Sequence, residues 1–267
     1  MSDLRHAVRV GRVLFAATLS LLAEYRAELA IWVVAGSLPL IMMFAWIGIA
    51  ADRPIAGYDA AGFAAYFLTV FYVRQMTPIW VLGVLDRAIR KVELSPMLLR
   101  PLHPFWPHAV EHISAVLMRV PAITLFVAAA LWLAGGLPRL DLLHLLLFVV
   151  AILLAWTVLF NLHYSFGLLA FWTDQAAALQ GLIYTLNMIF GGGLVPLDLF
   201  PPALRHILLY TPFRCVIDFP VSLLVGRPAA TDIAFGFALQ LLWIAVFVGL
   251  RRLLWRRGLQ RYSAVGA

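Results

Sequence analysis

The chain contains few of the residues from which soluble catalytic domains are built. Only 12% of its 267 residues are charged, whereas a typical soluble protein carries about 25%. Lys91 is the single lysine and Cys215 the single cysteine, so the chain can form neither an internal disulfide nor a cysteine-based metal cluster. The scarcity of charge leaves no soluble domain large enough to hold a core of its own.

The common nucleotide and hydrolase motifs are also missing from the sequence. No glycine-rich G-x-x-x-x-G-K-[ST] motif contains Lys91, so the chain cannot cradle the phosphates of ATP by itself. No G-x-S-x-G is present, which excludes a nucleophile elbow. The three glycines at 191–193 have no basic residue beside them, and we interpret them as a helix break. We therefore predict no catalytic residue and no cofactor in this chain.

Apolar residues make up 64% of the chain and form runs that alternate with short polar segments. Runs of about 20 apolar residues are long enough to cross a bilayer as helices. Barrel strands would alternate between polar and apolar positions, whereas residues 142–156 are apolar on almost every face. The sequence predicts an all-α membrane protein, with residues 1–267 forming a single transmembrane domain.

Six apolar segments predict six transmembrane helices, at 29–50, 61–85, 113–133, 142–171, 176–190 and 233–250. Residues 3–27 precede them and have the pattern of an amphipathic helix lying in the membrane interface. This segment imitates a signal peptide, but we see no convincing cleavage site and expect it to remain in the mature protein.

Basic residues indicate how the spans are oriented. The loop at 86–107 and the tail after residue 250 are rich in arginine, which favours the cytoplasmic side. Both termini and this loop are therefore predicted to be cytoplasmic, as an even number of spans requires. The net charge of +7 is explained by such orientation signals and by contact with membrane lipid, so we predict no nucleic-acid partner.

Several polar residues fall inside the predicted spans. Arg74 is near the middle of the second span, where an unpaired charge costs several kcal/mol. It either lines a polar path or locks two helices together. Asn161, His163 and Tyr164 in the fourth span could line a substrate path or form hydrogen bonds between helices.

One short motif has the pattern of a metal site. His108, Glu111 and His112 match H-x-x-E-H, in which two histidines share a helix face as zinc ligands and the glutamate acts as general base. An intramembrane zinc enzyme is therefore an alternative hypothesis. The other interpretation is that these are interfacial polar residues where the third span begins.

A region of broken helix follows the fifth span. Three glycines and several prolines interrupt the segment at 191–228, yet short apolar pieces recur within it. Such a pattern predicts re-entrant helices, because broken backbone at membrane depth must be buried in protein or line a cavity.

Two stretches resemble a known family. The sequence I-R-K-V-E-L-S-P-M-L-L-R-P-L-H-P at 89–104 resembles the G-E-L-S-x-L-L-L-R-P-L-x-P loop of bacterial ABC-2-type export permeases. The sequence at 190–213 resembles the same family's S-G-x-x-x-P-L-x-x-F-P motif and the P-F that follows it. The nearest branch includes viologen-exporter-like permeases. The chain departs from the pattern at Val92, where glycine is common, and at Gly191, where the family has serine.

The resemblance implies a mechanism and partners. The loop would contain a coupling helix that docks on a separate ATPase subunit, present in two copies and carrying ATP and Mg²⁺. A second permease, identical or paralogous, would complete the assembly in the bacterial inner membrane. The implied ATPase contacts are Arg87, Arg90, Lys91 and Glu93.

The predicted substrate path and outer gate complete this picture. Arg74, Asn161 and Tyr164 are the candidates for the path. The segment from Pro196 to Pro220 would close the outer gate, shaped by Pro196, Phe200, Pro201 and Pro212. A hydrophobic or amphipathic cargo suits the apolar bundle, and a membrane scaffold without transport activity is a further alternative.

Overall fold

The described part of the chain is almost entirely helical. A computed structural model describes residue 34 and residues 36–135, 141–226 and 228–265. These residues form helices, turns and one isolated bridge between Ile55 and Tyr58, and they contain no strand. The prediction of an all-α protein is confirmed for this part. The predicted amphipathic helix at 3–27 lies outside the described residues.

Eleven α-helices follow one another along these ranges, joined by turns and two short 3-10 segments. In chain order they are α1 (Leu38–Ile49), α2 (Ala60–Met76), α3 (Val81–Arg90), α4 (Leu94–Leu98), α5 (Phe105–Leu133), α6 (Leu142–Gly167), α7 (Ala178–Phe190), α8 (Pro202–Leu208), α9 (Pro212–Val216), α10 (Asp218–Val225) and α11 (Ala230–Val265).

Four helical segments are long and apolar enough to cross a membrane, namely Ala60–Arg90, Phe105–Leu133, Leu142–Phe171 and Ala230–Tyr262. The first of these joins α2 and α3. The other two predicted spans correspond to α1 and α7, which are apolar but shorter. At 1.5 Å per residue these helices are about 18 to 20 Å long, less than the roughly 30 Å of a bilayer core. The chain is thus a multi-pass membrane protein, and the count of six spans stays a prediction.

The second span is broken near its middle. It was predicted as a single segment over 61–85, but α2 ends at Met76 and α3 begins at Val81. Pro78 lies in the gap, where its ring and its missing N–H prevent the helix from continuing. The backbone N–H of Trp80 donates instead to Nε2 of His112, at 3.1 Å. A side chain of α5 therefore satisfies a donor that the break leaves without a helical partner.

Helix α11 packs tightly along α6 and the segments beside it. Gln240 is fully buried, and its Nε2 donates to the carbonyls of Ala151 and Cys215, each at 2.9 Å. Gly236 faces the ring of Phe219 so closely that a Cβ at this position would lie 2.0 Å from a ring carbon. These contacts fix α11 against two other parts of the fold.

The segment after α7 forms a compact cap over one end of α2. Gly192 has a φ of +88°, and its carbonyl accepts a 2.8 Å hydrogen bond from the hydroxyl of Tyr66. A Cβ at Gly192 would lie 2.6 Å from that hydroxyl, so both the backbone conformation and the space favour glycine. Trp46 donates from Nε1 to the carbonyl of Leu194 at 3.0 Å. Helices α8, α9 and α10 follow, and their re-entrant position in a membrane stays a prediction.

The basic loop is largely helical. Helix α3 ends at Arg90, and Pro96 lies within the short helix α4. The segment that returns to the bundle is short, since α5 begins at Phe105. Proline is tolerated in the first turn of a helix, where its missing N–H would have no partner, so Pro107 does not delay the start of α5.

Candidate functional site

A cavity of about 670 Å³, lined by both polar and apolar residues, lies beside the break in the second span. The helices around it contribute residues at helical spacing, so each turns one face toward the cavity. Helix α3 contributes residues 83, 84 and 87, α5 contributes 111, 115 and 119, and α7 contributes 180, 183, 184, 187 and 188. The end of α2, the break itself, two residues of α6 and Gly36 before α1 complete the lining. Its volume is within the range of pockets that hold drug-sized ligands.

Arginine dominates the charged part of this lining. Arg74, Arg87 and Arg119 line the cavity, and Glu111 is the one acidic residue among its described lining residues. Nη2 of Arg74 donates to the hydroxyl of Tyr184 at 2.6 Å, and its guanidinium lies 5.0 Å from the centre of that ring. This contact orients the Arg74 side chain.

Arg119 is a cavity residue that sequence reasoning missed. It lies at the midpoint of α5 and only 8% of its surface is exposed. Its Nε has no hydrogen-bond partner among the described residues. The signal that pointed to Arg74, a charge in the middle of an apolar run, applies equally to Arg119. The polar face of α7, with Gln180 and Asn187, was missed because α7 also contains many apolar residues.

The three residues predicted to line a path are not brought together. Arg74 lines the cavity, whereas Asn161 and Tyr164 are not among its lining residues. Nδ2 of Asn161 donates to the carbonyl of Thr157, within its own helix, at 2.8 Å. Tyr164 is fully buried and packs against Phe105 and Phe160. His163, which was considered with them, does line the cavity.

The zinc alternative finds no support in the described residues. No group of three or more histidine, cysteine, aspartate or glutamate side chains among them could hold a metal ion. Both ring nitrogens of His112 are engaged, since Nδ1 lies 2.7 Å from the carbonyl of His108 and Nε2 accepts from the Trp80 backbone. The His112 ring also stacks on the Trp80 indole, with centroids 3.8 Å apart. This histidine supports the helix break.

The predicted coupling residues surround the end of α3 and the turn into α4. Arg87, Arg90, Lys91 and Glu93 are all exposed. Nε of Arg90 donates to Oδ2 of Asp86 at 3.1 Å, and Asp86 itself is only 1% exposed. This ion pair therefore fixes the end of α3. Arg87 also lines the cavity, so it belongs to both surfaces.

The buried side of the same turn anchors it to the bundle. Val81, Leu85, Ile89 and Leu94 are buried in one cluster with Phe160 and Phe171. The hydroxyls of Ser95 and Tyr262 lie 2.8 Å apart, joining the start of α4 to the end of α11. Burial lowers the pKa of His103 in the return, and Arg251 lowers it further, so the exposed charges of this loop come from its arginines, Lys91 and Glu93.

The predicted gate residues lie along the cap rather than at one point. Pro196 and Pro201 precede short helical turns, Phe200 lies between them, and Pro212 begins α9. Asp198 accepts a hydrogen bond from the Tyr58 hydroxyl at 3.1 Å and pairs with Arg205. Burial and the negative charge of Asp198 raise the pKa of Tyr58. This polar cluster ties the cap to the loop before α2.

A comparison with known protein families gives one match. The model of the family described as "ABC-2 family transporter protein" matches residues 31–266, which is nearly the whole chain and includes every helix of the described residues. Neither a curated protein nor a solved structure gives a significant match. The bundle of apolar helices, the cavity and the charged turn beside it are thus those of a member of the ABC-2 transporter family, whose chains are the membrane components of ABC transporters.

Proposed function

We propose that this chain is the permease subunit of an ATP-driven exporter that moves a hydrophobic or amphipathic molecule across the bacterial inner membrane. Membership of the ABC-2 family supports the role of membrane component. ATP and Mg²⁺ would bind to a separate ATPase subunit, present in two copies, because the sequence contains no phosphate-binding motif. A second permease, identical or paralogous, would face this one. The viologen-exporter branch stays a prediction.

The observation that carries this proposal is the construction of the turn between α3 and α4. One side presents Arg90, Lys91 and Glu93 to a partner, while the other side is anchored by buried Leu94 and by the Ser95–Tyr262 contact. A surface that is charged outside and fixed inside moves as a unit when a partner pushes it. That is the requirement for a coupling element between an ATPase and a membrane path.

The position of the cavity supports the same proposal. Arg87 lines the cavity and lies on the helix that ends at the charged turn. A displacement of this turn would therefore reposition the wall of the cavity directly. ATP-driven closure of the ATPase subunits would be transmitted through α3 as a rigid-body movement.

The orientation of the chain follows from its basic residues. With the 86–107 loop and both termini in the cytoplasm, the cap at 191–228 lies at the outer face. Its contacts to Tyr58, Tyr66 and Trp46 would close the path on that side, as an outer gate must do while the inner side is open.

The test is a pull-down of the ATPase subunit from mildly solubilised membranes, comparing the wild type with a Lys91→Ala/Glu93→Ala variant. Arg90 is retained in this variant, because its removal would leave the buried Asp86 carboxylate without its partner. We expect the wild type to recover an ATPase subunit and the variant to recover about tenfold less, since charged contacts at an interface contribute more than 1 kcal/mol each.

The matched control is an Asp52→Ala/Arg53→Ala variant, which also removes one acidic and one basic residue. Both control residues are exposed at the opposite end of the same span, so this variant should recover the ATPase as the wild type does. If neither the wild type nor the control recovers an ATPase, the exporter proposal fails.

A further inference from the structure

Two arginines at mid-span have no acidic partner in the part of the chain that the structure describes. Arg74 lies near the middle of Ala60–Arg90 and Arg119 in the middle of Phe105–Leu133, and both line the same cavity. Their helices are joined nearby by a 3.2 Å hydrogen bond between the hydroxyls of Tyr72 and Thr124. An ionised side chain at this depth is costly unless it is paired or functional, so two on one cavity wall require an explanation.

The described residues do not neutralise these charges. None of the ion pairs among the described residues includes Arg74 or Arg119. Nη1 of Arg74 and Nε of Arg119 are buried without a hydrogen-bond partner in this part of the chain. Glu111 lies on α5 two turns before Arg119, about 12 Å away along the axis. It also accepts a hydrogen bond from Nε1 of Trp80 at 3.2 Å.

The lining also contains apolar side chains, beside polar ones such as Gln180 and Asn187. Leu159, Ile183 and Met188 are wall residues from α6 and α7, and Leu159 and Ile183 belong to the main buried core. The cavity thus combines a cationic side with a hydrophobic side, within a volume that suits a ligand of drug size. Guanidinium groups bind phosphate and carboxylate through pairs of parallel hydrogen bonds.

We propose that this cavity binds an amphipathic anion, with a phosphate, carboxylate or sulfonate head on Arg74 and Arg119 and an apolar body against α6 and α7. The inference rests on the proposed function, for which it specifies the substrate class. The head would fill the donor positions that the protein leaves open. A cationic molecule of the same size would meet two uncompensated positive charges and is excluded by the same lining. Arg87 at the cavity edge would attract the anion before it enters.

The test measures binding to the purified permease in nanodiscs of zwitterionic lipid, by calorimetry with empty nanodiscs as the blank. The probes are decyl phosphate, decyltrimethylammonium with the same chain and the opposite charge, and methyl viologen as a dication. We expect decyl phosphate to bind and both cations to bind at least about tenfold more weakly, because each charge-assisted hydrogen bond contributes enough for such a factor.

Single variants identify the groups that hold the head. Arg119→Gln and Arg74→Gln should each weaken binding of decyl phosphate about tenfold or more, and Arg119→Lys should retain most of it. Arg53→Gln removes the same charge from an exposed loop outside the cavity and should have no effect. If Arg119→Gln does not fold, Arg74→Gln alone provides the test, since that side chain is only partly buried.

A lipid headgroup and a free amphiphile both carry such an anionic head. A second experiment, with an anionic lipid in the nanodisc, distinguishes these two sources of the ligand. Phosphatidylglycerol in the nanodisc competes with decyl phosphate if the ligand enters from the bilayer, and leaves its affinity unchanged if the ligand is a free molecule. Equal binding of the cation, or an unchanged affinity in both arginine-to-glutamine variants, overturns the proposal. No ATPase is present in this assay, so its failure is distinct from a failure of the pull-down.

Discussion

At the scale of single residues, Val92 occupies a backbone conformation that its side chain disfavours. It has a φ of +61° directly after the end of α3, and its side chain is exposed. The left-handed conformation costs an L-residue about 1–2 kcal/mol, and branching at Cβ makes it rarer still. Glycine adopts this conformation without a steric cost, and it is common at this position in the permease loop that residues 89–104 resemble.

Replacing Val92 by glycine should therefore stabilise the protein. Glycine removes the clash but adds freedom to the unfolded chain, so we expect a gain of about 2 °C in the melting temperature. The measurement is thermal unfolding in detergent. Val92→Ala is the matched control, because it keeps a Cβ at the same φ and should gain less. A glycine variant that melts at or below the alanine variant would contradict the assignment of strain to this residue.

The sequence identifies which residues are unusual but not where their side chains meet. Arg74 is recognisable as a charge within an apolar run, and the same reasoning reaches Arg119. Asn161 and Tyr164, whose polar groups are equally conspicuous in the sequence, lie outside the cavity, and their role in a path stays a prediction. In a helix that is apolar all round, no periodicity distinguishes the face toward a cavity from the face toward a neighbour, so packing alone decides.

At the scale of elements, the break between α2 and α3 depends on a residue from another helix. Pro78 predicts an interruption from the sequence alone. The partner of the freed backbone group could not be predicted, because His112 is 32 residues away from Trp80 and its motif pointed to metal binding. The zinc hypothesis and the hydrogen bond from Trp80 to His112 predict different outcomes for the substitution His112→Ala.

We expect His112→Ala to destabilise the protein by about 1–3 kcal/mol, the cost of a buried donor left without a partner, without changing its zinc content. Unfolding in detergent and elemental analysis measure the two quantities. His163→Ala is the control, since His163 is also buried and its Nδ1 lies 2.9 Å from a carbonyl of its own helix. The loss of stability in His163→Ala should be smaller, because no helix break depends on His163. Stoichiometric zinc that disappears with His112→Ala would restore the metal hypothesis.

At the scale of the whole molecule, the buried residues form two clusters. Most of α2 belongs to the larger cluster with α10, while most of α3 and Leu94 belong to the smaller one with Phe160, Tyr164 and Phe171. Tyr262 of α11 packs against this smaller cluster and contacts Ser95. The charged turn is thus held by the last helix of the chain as well as by its own.

Tyr262→Phe should separate binding of the ATPase from coupling. The ring still packs but the hydrogen bond to Ser95 is lost, so we expect the ATPase subunit to be recovered in a pull-down as before. The ATPase activity of the assembled complex should fall about two- to tenfold, corresponding to the loss of one hydrogen bond. Tyr210→Phe is the control, because Tyr210 is exposed and lies outside the smaller cluster. Loss of ATPase binding in Tyr262→Phe alone would assign Tyr262 to the docking surface instead.

The break at Thr77–Trp80 gives the second span two lengths that can tilt separately. A straight helix that tilts about one point moves its two ends in opposite directions. In the proposed orientation, a force on the cytoplasmic end of such a helix would therefore also displace the end that packs against the cap. In the proposed transporter, α3 would be free to swing with the charged turn while α2 stays packed beneath the cap. Arg74 lies three residues before the break and lines the cavity, so the cavity would change shape while the cap stays in place. A continuous α-helix through residue 78 would couple the movements of the two lengths. The two ends of the proposed path would then no longer open one after the other.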